Sequence, residues 1–286
     1  MLPSVVAALA CPVCGRRMSH GERTLVCEVG HTLDLAKQGY APLLGSGRRG
    51  IVGDTAEMVA ARAEFLATGH YAPLASAIAD TVPDVAGLVL DVAGGTGYYL
   101  AAMLDRHPRL TGLGLDLSPY AARRAAKAHE RADAATADAW SPLPLQDGSV
   151  AVALSVFGPR NGAELARVLA PSGVLVVAAP TPRHLRELRG PLGLLEVDPQ
   201  KDERLAASLA AFRRVGDRAV EYSVIMDETD VTREVRMGPS AHHVTSAQVA
   251  ERLGGLVLPV EVTVSVVVSS WVVAAQGAEP RDEAVG

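Results

Sequence analysis

Aromatic side chains are scarce, at 4% of 286 residues: two tryptophans, six tyrosines and three phenylalanines. A core built on stacked rings is excluded, so valine, leucine and alanine must fill the interior. Cysteine is scarcer still, and all three copies fall within the first 27 residues. An odd number crowded at one end argues against a disulfide framework. Lysine is almost missing, with only Lys37, Lys127 and Lys201 among 27 basic residues, and arginine carries the positive charge. Set against 32 acidic residues, this leaves a formal net charge of −5. A chain basic throughout is excluded, and a nucleic-acid binder of this balance must concentrate its positive charge locally. Long hydrophobic runs are absent too. The valine-rich segment 256–275 is broken by Pro259, Glu261 and polar residues, and does not resemble a membrane span. The start, MLPSVVAALACP, lacks the charged segment and extended apolar run of a secretory signal. A cytoplasmic protein without membrane attachment is expected.

What is present is ample apolar material, 49% hydrophobic against 21% charged, enough for one large α/β domain and a small appendage. The chain is organised around residues 88–118, LVLDVAGGTGYYLAAMLDRHPRLTGLGLDLS. Three apolar residues climb to Asp91, a glycine turn (Gly94, Gly95, Thr96, Gly97) follows, and a periodic segment begins at Tyr98. A second apolar stretch ends on Asp116. Strand, tight turn, helix, strand and carboxylate form the arrangement that holds a nucleotide-like ligand at the open end of a parallel sheet. Asp91, three residues before the glycine pair, lies outside the phosphate-gripping dinucleotide pattern. It suits S-adenosyl-L-methionine, whose tail is a charged amino acid and which has no pyrophosphate. Asp116 is placed to take ribose hydroxyls.

Cys11, Cys14, Cys27 and His31 read as C-x2-C-x12-C-x3-H. Two short turns each supply a pair of ligands, and four soft or borderline donors leave no position open for water. That composition fits structural, tetrahedral Zn²⁺. Residues 1–44 are too few for an independent core, so metal binding would supply folding energy. Residues 1–50 hold six basic side chains, including Arg16, Arg17, Arg48 and Arg49, against three acidic ones. A local basic surface of this kind suits RNA phosphates.

Residues 45–82 read as a hinge, GSGRRGIVGD, followed by helical connectors. Asp54 or Thr55 caps a helix whose Met58, Ala61, Phe65 and Leu66 share one side, and a second helix spans roughly 73–81. Tyr71, at the junction, is placed either to turn over a ligand or to fill the core. From residue 83 the pattern is that of a mostly parallel seven-stranded α/β sheet with a late antiparallel strand. Helices are expected over 119–129, 162–170 and 201–213. Strands are expected over 134–137, 219–226 and 261–268, and VAVALSVFG and VLVVAAP read as central strands covered on both faces. Asp138, after the third strand, is positioned to reach an adenine amine or to stabilise its own turn. His184 lies just past the carboxyl end of a central strand.

The segments CPVC…CEVGHTLDLAKQGYAPLL, DTAEMVAARAEFLATGHYAPL, DVAGGTGYYL, LDLSPYAARRAAKAH, SVFGPRNGAELARVLAPSGVLVVAAPTPRHLRELRG and the late MGPS resemble the RlmA/TlrB family of 23S rRNA (guanine-N1)-methyltransferases. They span nearly the whole chain, and GGTG, VFGPRN and GPSAHH are closest to the actinobacterial TlrB-like branch. The resemblance implies a class I methyltransferase Rossmann-like domain behind a zinc-binding module. It also implies methylation of a guanine in the helix 35 hairpin at position 748 rather than 745, with tylosin-type macrolide resistance, and a homodimer. It places zinc on Cys11, Cys14, Cys27 and His31, and lines the cofactor site with Tyr71, Gly95, Thr96 and His184, supported by Asp91 and Asp116. Ala93 departs from the family, many of whose members carry glycine there.

Guanine N1 carries a proton that must leave at or near methyl transfer, and no residue in the sequence identifies the acceptor. The main domain holds no cysteine for a covalent pyrimidine mechanism and no amino-methylation motif of the Asn-Pro-Pro-Tyr kind after the fourth strand. Pro159-Arg160-Asn161 stands in that place, and Arg160 or Asn161 is positioned to orient the guanine edge. Two other readings remain at this point: a small-molecule methyltransferase, and a non-enzymatic zinc-ribbon interaction protein.

Overall fold

The computed structural model describes residues 1–44, 53–194, 201–238 and 246–274. Arg48, Arg49 and the MGPSAHH motif beyond Gly238 lie outside the described residues.

The first module opens with α1 (Pro3–Ala8) and a three-stranded antiparallel sheet of β1 (Met18–His20), β2 (Thr24–Cys27) and β3 (Thr32–Asp34). It then reaches β4 (Ala41–Pro42). The connectors α2 (Ala56–Leu66) and α3 (Ala72–Ala79) follow. Thr55 caps α2, its hydroxyl accepting the Met58 N–H at 3.3 Å.

The main unit alternates β5 (Gly87–Val92), α4 (Tyr98–Arg106), β6 (Leu110–Asp116), α5 (Pro119–Ala125) and β7 (Ala132–Thr136). It continues through β8 (Val150–Val156), α6 (Gly162–Val168), β9 (Leu169–Pro180), α7 (Arg186–Leu192) and α8 (Lys201–Ser208). It ends with β10 (Phe212–Met226), α9 (Glu228–Met237), α10 (Ser246–Leu253) and β11 (Val260–Val273).

These strands make one sheet in the order β10-β11-β9-β8-β5-β6-β7-β4. β11 is antiparallel to both its neighbours, β9 and β10, as the late strand was expected to be. Among the described residues the sheet has eight strands where seven were expected. The extra member is β4, whose Ala41 and Pro42 pair in parallel with Ala135 and Thr136. Two residues carry no readable alternation, so only the pairing reveals them. β10 also begins seven residues before the expected 219, because its outer half is an edge strand with exposed side chains and little hydrophobic pattern. The helices after Pro119 and Lys201 end earlier than the sequence pattern implied, at Ala125 and Ser208.

β5 is flanked by β6 on one side and β8 on the other, so connections leave it in opposite directions. That switch point opens a crevice at its carboxyl end. Helices α2, α3, α4, α7 and α9 pack one face of the sheet through Phe65, Leu74, Leu100, Leu188 and Val231. The other face buries Val5, Val6 and Leu9 of the first module against Leu88, Leu90 and Leu113. Each such side chain contributes about 1.5–3 kcal/mol. The module therefore shares the main core instead of building its own.

Among the described residues, three other than glycine adopt left-handed backbone: Ala93 (φ 56°), Phe157 (φ 54°) and Leu185 (φ 55°). All three border the crevice or the histidine beside it, where strain commonly collects. Ala93→Gly removes a Cβ from a conformation that costs L-residues about 1–2 kcal/mol, offset partly by a more flexible unfolded chain. A small rise in thermal midpoint is expected. Calorimetry with S-adenosylhomocysteine should show unchanged or tighter binding, and a loss of affinity would contradict it.

Candidate functional site

The two cysteine turns come together across β1 and β2. Cys14 Sγ lies 3.8 Å from Cys27 Sγ, and His31 Nδ1 lies 3.6 Å from Cys11 Sγ and 3.4 Å from Cys27 Sγ. All four donor atoms fall within 4.8 Å of one another. Tetrahedral zinc, with bonds of about 2.3 Å to sulfur and 2.0 Å to nitrogen, puts sulfurs roughly 3.8 Å apart and sulfur–nitrogen pairs roughly 3.5 Å apart. The donor set and its spacing fit Zn²⁺. The His31 backbone N–H donates to Cys27 Sγ at 3.3 Å, which would stabilise a thiolate there. Arg16 and Arg17 stand exposed on the first turn.

The second site is a cleft of about 460 Å³ at the carboxyl end of β5. Five aromatic residues, Tyr71, Tyr98, Tyr99, Trp140 and Phe157, line it in a chain that is only 4% aromatic. Its floor is acidic. Asp91 is 1% exposed, and among the described residues its Oδ2 has no hydrogen-bond partner. Burial, with the charge of Asp116 second, pushes its carboxyl up to about 7. A Cβ at Gly94 would stand 2.5 Å from Asp91 Oδ2, so the glycine gives the carboxylate room.

Asp116 fastens the turn. Its Oδ2 accepts the Gly95 N–H at 2.9 Å and its Oδ1 accepts the Ser118 N–H at 2.8 Å. Burial raises its carboxyl while those two donors oppose the rise. Thr96 lines the cleft, but Gly97 does not. A Cβ on Gly97 would lie 2.8 Å from the Ala128 Cβ and 3.1 Å from the Ala125 Cα, so it serves the close approach of α4 to the end of α5.

Asp138 lines the cleft from the other side. Its Oδ1 accepts the Trp140 N–H at 2.9 Å and its Oδ2 the Ser141 hydroxyl at 3.0 Å. The carboxylate thus stabilises its own turn, and that turn presents Trp140, 67% exposed, at the cleft rim.

Tyr71 belongs both to the core and to the cleft wall. Its hydroxyl donates to Glu234 Oε1 at 3.3 Å and lies 3.5 Å from His184 Nε2. The Ser265 N–H donates to His184 Nδ1 at 3.3 Å, which leaves Nε2 as the protonated nitrogen facing Tyr71. His184 stacks on Phe157, with ring centres 5.6 Å apart. Burial pushes the Glu234 carboxyl up to about 8, and its Oε2 has no partner among the described residues.

Arg160 is partly buried beside cleft-lining Pro159. Burial lowers its pKa, and its buried Nε has no partner among the described residues. Asn161 is occupied locally: its Oδ1 accepts the Glu164 N–H at the start of α6, and its Nδ2 donates to the Trp140 carbonyl.

Several participants carried no sequence signal. Arg62 on α2 reaches Asp54 Oδ2 at 2.5 Å and donates to the Met237 carbonyl at 2.7 Å, pinning α2 to α9 over the cleft mouth. Phe157 was only the end of a strand, and Glu234 only one charge on an amphipathic helix.

The chemistry of the cleft fits S-adenosylmethionine. An unpartnered buried carboxylate oxygen suits a cationic amino group, a second carboxylate suits hydroxyls, and aromatic walls suit a flat base. Two carboxylates on the floor would repel a pyrophosphate.

Comparison with known proteins gives the same picture for both halves. The family described as "RlmA, N-terminal" matches residues 9–47, and "Methyltransferase domain" matches residues 89–173. A Streptomyces fradiae 23S rRNA (guanine(748)-N(1))-methyltransferase is 45% identical over 272 residues, covering 93% of this chain and 97% of the relative. A Micromonospora griseorubida protein, with a provisional name as a 23S rRNA (guanine-N(1)-)-methyltransferase, is 47% identical over 288 residues, with the same two coverages. Among solved structures, the Haloferax volcanii complex of the Trm112 methyltransferase activator with a methyltransferase matches over 78% of this chain and 99% of the other. Its TM-score is 0.50 at 17% identity, a likeness of fold alone.

Proposed function

The chain belongs to the RlmA/TlrB family of 23S rRNA (guanine-N1)-methyltransferases, and on that premise we propose that it methylates N1 of guanine 748 in the helix 35 hairpin. The observation that carries this reading is the pairing of a tetrahedrally spaced Cys₃His cluster with an acid-floored cleft on one shared core. Small-molecule methyltransferases have no need of the first.

When bound, S-adenosylmethionine supplies a methyl group on sulfonium, an electrophile whose leaving group needs no proton. The protein's task is then to position the base and remove the N1 proton. Asp91 would hold the ammonium, Asp116 the ribose, and Thr96, Trp140 and Phe157 would confine the rest. Arg160, next to cleft-lining Pro159, would orient the guanine through its carbonyl oxygen. N1 lies on the Watson–Crick edge, so the target must be unpaired or turned out of the stem.

Residues 1–44, with Arg16 and Arg17, would grip RNA. Residues 45–82, with Arg48 and Arg49, would connect, and residues 83–286 would carry the chemistry. A homodimer in the cytoplasm, acting in macrolide resistance, completes the proposal. Among the described residues, no helix is long and apolar enough to cross a membrane.

The test is incubation of undermethylated bacterial 23S rRNA with the protein and labelled S-adenosylmethionine. One methyl group should appear as 1-methylguanosine by nucleoside mass analysis, and primer extension should halt one nucleotide short of 748. Labelling at 745 would move the target within the hairpin. Labelling of adenine or cytosine would refute the guanine-N1 assignment. Transfer only to a small molecule would favour that alternative, and failure to bind cofactor at all would favour a non-enzymatic interaction protein.

A further inference from the structure

A second concavity, about 630 Å³, lies between α2 and α5 and meets the cofactor cleft at Thr96, which lines both. Its floor is Ala56, Val59 and Ala63 of α2, and its rim is Tyr120, Arg123, Arg124 and Lys127. Among the described residues, no carboxylate lines it.

The three cations are exposed and, among the described residues, have no ion-pair partner. Many other arginines of the main unit are paired: Arg106 with Asp80, Arg109 with Asp84, Arg167 with Glu164, Arg233 with Glu64. Three unpaired cations around one groove, on a chain of net charge −5, are a local reversal of the protein's field. Tyr120 is 50% exposed at the same rim, a free aromatic face beside positive charge. Cations tracking a backbone with an aromatic to stack on is the chemistry of single-stranded nucleic-acid binding.

We propose that this groove takes the phosphate backbone of the RNA strand next to the target guanine, with a flanking base stacked on Tyr120. This rests on the rRNA reading above. The apolar floor gives the sugars a surface to cross, and the shared Thr96 makes the groove continuous with the site where the target base must enter. The cations at positions 123, 124 and 127 fall on one side of α5 and the turn after it, so a single strand can meet all three.

The experiment compares the wild type with the combined variant Arg123→Gln, Arg124→Gln, Lys127→Gln, using an unmodified helix 35 hairpin. The expected result is a KM for RNA raised roughly 10- to 100-fold. The slope of log affinity against log salt should fall by about 2, as loss of three phosphate contacts on a single strand requires. S-adenosylhomocysteine binding should stay within about threefold, which also shows that the variant folds. The charge-preserving pair Arg123→Lys, Arg124→Lys should keep near-wild-type affinity, and Tyr120→Ala should weaken binding without changing the salt slope.

An unchanged slope and KM in the combined variant would overturn the groove assignment. So would a lowered thermal midpoint with unchanged RNA affinity, which would mean the cations serve only the end of α5. So would loss of a dimer with RNA binding intact, since the rim would then face a second copy. If the wild type itself neither binds nor methylates the hairpin and full-length rRNA, the parent reading has failed. If the wild type is active and only the variant is unaffected, the failure belongs to the groove alone.

Discussion

Asp91→Asn should weaken S-adenosylmethionine binding roughly 100-fold, equivalent to about 2.7 kcal/mol, while making the cofactor-free protein more stable. The carboxyl is buried beneath the glycine turn with one oxygen unpartnered, and its pKa stands at about 7. A folded-state value raised this far above the ordinary 3.8 means that ionisation opposes folding. The penalty is absent near pH 4, grows as pH rises from there, and is complete above about 7. Asparagine carries no charge into that site and so avoids the larger desolvation cost. A gain on the order of 2 kcal/mol is expected at pH 8, shrinking to nothing toward pH 4.

The ammonium of the ligand reverses the balance, because it stabilises the ionised carboxylate. Wild-type affinity should therefore decline as pH falls below about 7, with a proton released on binding, and the variant should lose that dependence. Thermal denaturation across pH, with calorimetry in buffers of different ionisation heat, measures both. A variant that binds normally, or that is destabilised at pH 8, would show that Asp91 is a structural group.

Cys27→Ser should empty the metal site and unfold part of the first module. Zinc in small domains supplies about 10–16 kcal/mol toward folding, far more than the few packed side chains of β1–β3 could replace. The response should be uneven along the module. α1 is held by Val5, Val6 and Leu9 against the main sheet, so residues 3–10 should stay protected from hydrogen exchange. Residues 18–34, whose strands pair mainly with one another around the cysteine turns, should lose protection. RNA methylation should fall by two orders of magnitude or more, with S-adenosylhomocysteine affinity unchanged. Retention of one zinc per chain, by elemental analysis of unstripped protein, would end the Cys₃His assignment.

The features legible in the sequence were those whose chemistry is local. Cys11 and Cys14, or Cys27 and His31, are separated by one short turn, so their spacing already states that they can share an ion. Asp91 and the glycine turn are likewise contiguous, and Asp116 follows after one helix and one strand, a distance the α/β repeat fixes. Ala93 could be marked as a departure from sequence resemblance, but only the backbone shows that its φ is positive.

The connections that complete the cleft are of another kind. Tyr71 meets Glu234 across 163 positions and His184 across 113, and Arg62 reaches Met237 across 175. A lone glutamate on an amphipathic helix reads as a solvated charge, and nothing nearby in the chain shows that α9 turns it inward against a tyrosine. Asp138 and Asn161 are the intermediate case, because their bonds to Trp140, Ser141 and Glu164 are local and the turn role of Asp138 was one of the two readings its sequence allowed. Only the bond from the Asn161 Nδ2 to the Trp140 carbonyl, across 21 positions, needed the fold to bring the two loops together.

By itself, the sequence determined the metal ligand set, the alternation that makes a mostly parallel sheet, and the two acids flanking the glycine turn. Each is encoded in separations of a few residues or in hydrophobic periodicity, which local sterics and burial translate directly into structure. Only the tertiary structure decided that the first module shares the main core and adds an eighth strand, that Gly97 serves packing, and that three cations of α5 and the turn after it border a groove opening on Thr96. These are consequences of which distant surfaces the chain brings together, a choice set by the summed packing of the whole sheet rather than by any short stretch of it.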